Sequence, residues 1–338
     1  MRLSRLPVGR LLGGGAGLLV LAAFFLWTLP SPDYLILPNR AQPLAGRVRV
    51  EGGREPTGTG GIYYLDVTER KARWLEHIFA FTRPSGATLV PGDQVVPQGA
   101  SFESERRQNI AEMQRSEEVA AAVALRQAGF DVKARLTGVL VEAVLLDVPA
   151  AKVLKEGDVI VSVHGTTTRS VAQLRKILAP LRPGTIVSVA FRRAGTVRSG
   201  KVKTIADPIS GRTILGIFRA SQAADVKLPV RVSIDLGEVG GPSAGLPFAL
   251  DVYQQLGHRV DKGLRVAATG ELDLDGSVLP IGGVKQKTFG ARAGGANVFL
   301  VPAGENAIEA RKYAGGLRIV PVESFQQALH ALATLPRP

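Results

Sequence analysis

The most informative stretch of the sequence is Glu238-Val239-Gly240-Gly241-Pro242-Ser243-Ala244-Gly245-Leu246-Pro247-Phe248-Ala249-Leu250. It places one serine among glycines and small residues, directly before an apolar segment. Glycines let the backbone approach a ligand closely, and the run from Leu246 to Leu256 predicts a buried helix. The first N–H groups of a helix have no intrahelical partner and favour negative charge. The stretch therefore predicts Ser243 as a nucleophile, with the backbone at Pro242, Ser243 and Ala244 as the oxyanion site. For an isolated serine of this kind, a simple helix cap is the competing interpretation.

A base for this serine is predicted in the downstream stretch Gly282-Gly283-Val284-Lys285-Gln286-Lys287. Glycines form a turn, and two lysines open a predicted helix. A lysine acts as a base only when it is neutral, and burial favours the neutral form because desolvation disfavours charge. The two stretches together predict a Ser–Lys dyad, which needs no third acidic group.

These stretches resemble the proteolytic domain of the Lon protease family. The serine box Gly-Pro-Ser-Ala-Gly of the family matches residues 241–245, and its lysine box matches residues 280–287. The resemblance implies that Ser243 and Lys287 are catalytic, that Lys285 is a surface residue, and that Thr269 orients the lysine. It covers roughly residues 225–335. It also implies a homo-oligomer, commonly a hexameric ring in this family. Because no ATPase motif is found in the sequence, we expect substrates that are unfolded or partly cleaved proteins.

One position departs from the family pattern. Many members carry an aspartate three residues before the serine, where this chain has Gly240. Asp235 and Glu238 are the nearby acidic residues in the sequence. The Gly-Gly-Pro-Ser-Ala-Gly form is similar to a subgroup that lacks the ATPase, and no Gly-x-x-x-x-Gly-Lys-(Ser/Thr) phosphate loop occurs in the chain.

Residues 135–205 resemble a PDZ domain of the kind found in bacterial proteases. Pro149-Ala150-Ala151 and the run from Leu154 to Ile160 (Leu-Lys-Glu-Gly-Asp-Val-Ile) carry this resemblance. PDZ domains bind peptide C-termini by strand addition, and the resemblance assigns the carboxylate-binding loop to Gly138, Val139 and Leu140. The alternative is a groove that is filled by the chain itself.

The N-terminus predicts a membrane anchor. Arg2, Arg5 and Arg10 precede residues 11–29, which carry no charge. Nineteen helical residues span about 28 Å, close to the hydrocarbon thickness of a bilayer. The basic side is expected in the cytoplasm and the catalytic domain outside it. A cleaved signal peptide is the alternative.

The expected fold class is α+β, because the C-terminal region lacks the regular rhythm of a doubly wound sheet. A long helix is predicted over residues 103–128. The predicted organisation is a basic cytoplasmic segment (1–10), a transmembrane helix (11–29), an α+β region that flanks the PDZ domain (30–134), the β-rich PDZ domain (135–205) and the Lon-type domain (206–338).

The composition excludes several classes of function. The chain has no cysteine, which rules out disulfides and thiol catalysis, and its four histidines have no metal-ligand spacing. The net charge of +13 is scattered, without a basic platform for nucleic acid. We therefore expect no metal, no cofactor and no nucleic-acid partner.

The function predicted from these features is an ATP-independent, membrane-anchored serine endopeptidase with a PDZ domain for substrate recognition. Two alternatives remain at this point. One is a tethered PDZ adaptor whose peptidase-like domain is inactive. The other is an α/β-hydrolase with a Gly-x-Ser-x-Gly elbow, in which Asp273 or Asp275 and His330 would complete the triad.

Overall fold

The computed structural model describes residues 21, 24–58, 60–96, 102–145, 147–207, 211–237 and 239–336. The helices are α1 (Trp74–Ile78), α2 (Gly92–Val95), α3 (Phe102–Gln127), α4 (Val171–Leu178), α5 (Gly245–Gln255), α6 (Val284–Ala293), α7 (Glu305–Tyr313) and α8 (Phe325–Thr334). The strands are β1 (Pro30–Pro38), β2 (Gln42–Pro43), β3 (Val48–Val50), β4 (Gly61–Tyr64), β5 (Val67–Arg73), β6 (Thr88–Val90), β7 (Lys133–Val144), β8 (Val159–Val163), β9 (Thr166–Thr167), β10 (Ile186–Arg193), β11 (Thr196–Lys203), β12 (Ile205–Ala206), β13 (Thr213–Ile214), β14 (Ile217–Lys227), β15 (Val232–Ile234), β16 (Arg265–Ala268), β17 (Glu271–Leu272), β18 (Val278–Leu279), β19 (Val298–Pro302) and β20 (Arg318–Val322).

The C-terminal region is built on a sheet of order β2-β4-β16-β19-β20. The β4–β16, β16–β19 and β19–β20 pairs are parallel. Helix α6 connects β16 to β19, and α7 connects β19 to β20. Every residue of β19 is buried, as expected for a parallel strand that is covered on both faces. The chain is therefore mixed α/β, and this sheet has the βαβ rhythm that the α+β expectation denied.

The segment that precedes the PDZ domain is part of the same unit as the C-terminal region. Strand β4 pairs with β16, and β3 pairs antiparallel with β15. Leu44, Val48 and Ile62 share one hydrophobic cluster with Phe248 and Val266. Residues from the predicted flanking region thus complete the fold of the C-terminal region.

The PDZ-like region forms a second sheet of order β11-β10-β8-β7-β14 around its own apolar core. Ser170 caps α4 by accepting a hydrogen bond from the Gln173 backbone, and this helix packs on the same core. The sheet includes β14, which extends to Lys227, beyond the predicted boundary at residue 205.

The long helix α3 agrees with the predicted 103–128 helix. Its buried Ala120, Val123 and Ala124 belong to the core that also contains α5. No helix in the described part of the chain is both long enough and apolar enough to cross a membrane. Of the predicted anchor, residues 11–20, 22 and 23 lie outside the described residues.

Candidate active site

Ser243 lies in a tight turn (the serine turn, Gly241–Ala244) that leads into α5. Residues Pro242–Ala244 form a short 3₁₀ turn, and Gly241 before it has a φ of 89°, in the left-handed region that favours glycine. Two hydrogen bonds connect this turn to helix α3. The Gly241 N–H donates to the Asn109 carbonyl (2.8 Å), and the Ser116 hydroxyl donates to the Pro242 carbonyl (2.9 Å).

The end of the parallel strand β16 fixes the other side of the turn. The Ser243 carbonyl accepts from the Gly270 N–H (2.8 Å) and from the Thr269 hydroxyl (3.1 Å). The Leu246 N–H donates to the Gly270 carbonyl (2.9 Å). Because Thr269 is fully buried, its hydroxyl has a fixed position beside the serine.

Lys287 reaches the same point from α6. Gly283 precedes the helix with a left-handed φ of 70°, and its carbonyl accepts from the Lys287 N–H. The side-chain Nζ lies 2.6 Å from the Ser243 Oγ and 3.3 Å from the Thr269 Oγ1. The structure therefore brings together the three side chains predicted for the dyad and its orientation. Lys285, the other lysine of the pair, instead donates to the Ala87 carbonyl at 3.0 Å.

The protonation of Lys287 is set mainly by burial. The residue is 4% exposed, and desolvation lowers its pKa from 10.5 to about 7, while the Asp66 carboxylate opposes this shift. Near neutral pH, a large share of the lysine is thus neutral. A neutral amine at 2.6 Å from the serine hydroxyl can accept its proton.

Asp66 is a residue of this site that the sequence reasoning missed. It follows β4 and lines the same cleft as Ser243 and Lys287. Its Oδ2 accepts from the Asn39 amide at 2.9 Å, whereas its buried Oδ1 has no hydrogen-bond partner within the described ranges. The signal available in the sequence was only its position directly after an apolar strand. Of the carboxylates considered from sequence, Glu238 lies outside the described residues, and Asp235 accepts from the Gly237 N–H.

The structure gives a physical reason for glycine at position 240. A Cβ on Gly240 would lie 2.7 Å from the Asn109 Cβ and 3.1 Å from the Asn109 carbonyl carbon. Helix α3 therefore occupies the space that an aspartate side chain would need. The close approach also allows the hydrogen bond between Asn109 and Gly241.

The dyad opens into a cleft of about 460 Å³. Its walls come from the serine turn, the segment around β4 and β5, and helix α3; they include Asp66, Thr68, Asn109, Met113 and Val239. The predicted oxyanion site needs one correction here. Pro242 has no N–H, so only the Ser243 and Ala244 backbones can donate.

The α/β-hydrolase alternative fails on geometry. The partner of Ser243 is Lys287, whereas His330 is exposed on α8. The carboxylates of Asp273 and Asp275 accept from the Leu274 and Ser277 N–H groups. The serine turn also follows the antiparallel strand β15, whereas the hydrolase elbow requires a strand of a mainly parallel sheet.

The predicted carboxylate-binding loop of the PDZ region is corrected by the structure. Gly138, Val139 and Leu140 lie inside β7 and not in a loop. This strand pairs with β8 on one side, through Val139 and Ile160, and with β14 on the other, through Leu140 and Ser221. Since both of its edges are occupied, β7 cannot accept a peptide strand at these residues.

Comparisons with known proteins find a family match for the C-terminal region and another for the PDZ-like region. Residues 225–334 match the family described as the C-terminal proteolytic domain of Lon protease (S16), and residues 99–204 match the PDZ domain family. The chain is also similar to the PDZ domain of an SdrC-like protein from Listeria monocytogenes, with 28% identity and a TM-score of 0.25, over 25% of this chain and 90% of that one.

Curated relatives match over the C-terminal part. Lon protease 2 of Bacillus subtilis is 36% identical over 122 residues, which is 36% of this chain and 21% of the relative. The Lon protease of Rickettsia bellii is 32% identical over 164 residues, 44% of this chain and 21% of the relative. That of Treponema pallidum is 47% identical over 62 residues, 18% of this chain and 7% of the relative. The chain thus spans about a fifth or less of the length of these relatives.

Proposed function

We propose that this chain, in which a Lon-type proteolytic domain follows a PDZ domain, is a serine endopeptidase that works without ATP. The observation that carries the proposal is the 2.6 Å approach of the Lys287 Nζ to the Ser243 Oγ at a buried site where the lysine pKa is about 7. In the reaction, neutral Lys287 takes the Ser243 proton as the oxygen attacks a peptide carbonyl. The Ser243 and Ala244 N–H groups stabilise the oxyanion, and water then hydrolyses the acyl-enzyme.

Thr269 has a positioning role in this mechanism. Its hydroxyl donates to the Ser243 carbonyl and accepts from the lysine Nζ, so it links the two reacting groups. An amine on a flexible four-carbon chain needs such a partner to stay aligned. Thr269 therefore orients the lysine and takes no part in bond formation.

The sequence also supports a substrate class and a location for the protein. ATP independence is supported by the lack of a phosphate-loop motif in the sequence. Since residues 1–338 contain no such motif, we propose substrates that are unfolded or already cleaved proteins. Anchoring through residues 11–29, with the catalytic domain outside the cytoplasm, is supported by nineteen uncharged residues after a basic segment. We also propose a homo-oligomer, by similarity to the Lon family.

The test is cleavage of an unfolded protein by the full chain without ATP. We expect Ser243→Ala and Lys287→Ala to abolish product formation. The matched control is Lys285→Ala, because the Lys285 amine contacts Ala87 and Thr88 and not the serine. Robust cleavage by the Ser243→Ala or the Lys287→Ala chain would refute the dyad. A folded wild type that cleaves nothing would instead favour the adaptor alternative.

A further inference from the structure

The end of helix α1 and the turn after it carry large apolar side chains that face solvent: Ile78, Phe79 and Phe81, here called the exposed cluster. These residues are 51%, 40% and 85% exposed, respectively. The two phenylalanine rings lie beside each other, with centroids 5.6 Å apart. Adjacent apolar side chains that stay uncovered mark a contact with a membrane or with another protein. The exposed cluster is therefore a candidate interaction surface.

Hydrogen bonds hold the exposed cluster in its outward position. The Thr82 hydroxyl donates to the Phe79 carbonyl at 2.7 Å. The Arg83 guanidinium donates to the carbonyls of Glu76 (2.7 Å) and His77 (3.1 Å) in the last turn of α1. Because these bonds satisfy carbonyls that a helix end leaves without an intrahelical partner, the turn after α1 has a defined shape. The two rings are thus presented to solvent by an ordered turn.

The exposed cluster lies close to the point where the uncharged N-terminal segment enters the domain. Residues 24–28 are helical and lead into β1. The Trp74 N–H, at the start of α1, donates to the Leu29 carbonyl at 3.1 Å. Phe79 follows Trp74 by five residues, and five residues of helix span about 7.5 Å. The exposed cluster is therefore about 10–15 Å from the end of the uncharged segment.

The side chains around this junction have the composition of a membrane interface. Phe24, Phe25 and Trp27 are exposed on the helical end of the uncharged segment. The Arg73 guanidinium lies over the Trp27 ring, 4.4 Å from its centroid. Both tryptophans of the chain, Trp27 and Trp74, are here. Tryptophan is enriched where lipid tails meet headgroups, and arginine is attracted by anionic headgroups. The junction therefore fits a bilayer surface better than it fits a second protein chain.

We propose that the exposed cluster inserts into the surface of an anionic lipid bilayer, as a second membrane contact beside residues 11–29. The inference rests on the proposed location, to which it adds that the catalytic domain is docked on the bilayer. Apolar rings bury their surface among the lipid tails, and nearby arginines remain at the headgroups.

The docked surface is connected to the helix of the catalytic lysine. Gly86 follows Phe81 by five residues, so it lies at most about 18 Å away. Its carbonyl accepts from the Gln286 amide of α6 at 3.2 Å, and the same amide donates to the Thr88 hydroxyl at 2.7 Å. Insertion of the exposed cluster therefore fixes the orientation of the catalytic domain at the bilayer as well as its distance from it.

The test places a fluorescent label in the exposed cluster of the full chain with Ser243→Ala. The chain has no cysteine, so Ala80→Cys gives a single labelling site between the two rings. Glu156→Cys, at an exposed turn of the PDZ-like region, carries the same label as a control. The chain is reconstituted in vesicles of equal parts phosphatidylcholine and phosphatidylglycerol. We expect brominated lipids to quench the label at position 80 at least about fivefold more strongly than the label at position 156.

Protein variants locate the contact. Phe79→Ser combined with Phe81→Ser is expected to reduce the quenching at position 80 to the level of the control label. The matched control is Ile308→Ser, which removes an exposed apolar side chain of α7 and is expected to preserve the difference. All of these side chains are exposed, so far-ultraviolet circular dichroism is expected to show unchanged folding.

Flotation of the same vesicles separates this inference from the proposed anchor. A chain that floats while the label at position 80 escapes lipid quenching would overturn the inference and leave the anchor intact. A label that is shielded from iodide but not quenched by lipid would show that a second copy of the chain covers the exposed cluster, which also overturns it. Loss of flotation only in the double serine variant would refute the anchor and support the exposed cluster. A parent chain that does not float would refute both, and the cleavage test of the dyad is independent of all these outcomes.

Discussion

Replacing Lys287 with methionine is expected to make the protein more stable near neutral pH. The folded lysine has a pKa of about 7, against an ordinary value of 10.5 in the unfolded chain. Between these values the unfolded state binds more protons than the folded state. The lysine's contribution to the free energy of unfolding is therefore fully present above pH 10.5 and is lost as the pH falls towards 7.

The size of the effect follows from the same values. The difference of about 3.5 between them corresponds to about 5 kcal/mol, of which about 4 kcal/mol applies at pH 7. In a Ser243→Ala background, which prevents self-cleavage, Lys287→Met also removes the hydrogen bond to Thr269, and this costs about 1 kcal/mol. Methionine keeps a similar shape and volume in the buried site. The expected gain is about 3 kcal/mol at pH 7, and at pH 10.5 it becomes a loss of about 0.5 kcal/mol.

The assay is guanidinium unfolding followed by far-ultraviolet circular dichroism at both pH values. Lys285→Met in the same background is the control, because this half-buried lysine donates to the Ala87 carbonyl and Thr88 hydroxyl, outside the dyad. We expect the control to be no more stable than its parent. A Lys287→Met gain that is equal at pH 7 and pH 10.5, or no gain at either, would refute the claim that the lysine is held neutral by burial.

Three further predictions concern activity. Asp66→Asn removes the charge that raises the Lys287 pKa, so the acid limb of the pH dependence of kcat/KM is expected to move to lower pH; an unchanged limb would show that Asp66 does not act on the lysine. Gly240→Asp is expected to lower activity at least tenfold and stability by about 1–3 kcal/mol through the contact with Asn109, and Asn109→Gly is expected to recover part of both. Thr269→Val is expected to reduce kcat about 10–100-fold with little change in KM, since it frees the lysine, while Thr269→Ser is expected to retain most of the activity.

The active-site pair was accessible from sequence because each partner lies in a short segment with its own local signal. Gly241 takes a left-handed φ before the serine turn, and Gly283 does the same before the lysine helix. Glycines at such points are dictated by backbone sterics, which act over one or two residues. The helix of Lys287 and the buried run after Ser243 also follow from local periodicity.

Contacts between distant segments had no such signal. Asp66 reaches the dyad because β4 pairs with β16, about 200 residues further along the chain. The same long-range pairing creates the parallel sheet of the C-terminal region, for which the sequence predicted an α+β fold without a βαβ rhythm. Likewise, the predicted peptide binding at Gly138–Leu140 was wrong because β14 pairs with β7 at these residues. Strand β14 lies after residue 205, where the PDZ domain was predicted to end.

The sequence by itself identified the candidate nucleophile Ser243, its partner Lys287 and the PDZ region, since these depend on residue chemistry and local backbone conformation. The tertiary structure decided how neutral the lysine is, why position 240 is glycine and that both edges of β7 are already paired. Those properties depend on desolvation, close approach and strand pairing. Each of them is set by which segments pack together, and periodicity along one segment carries no information about its partner.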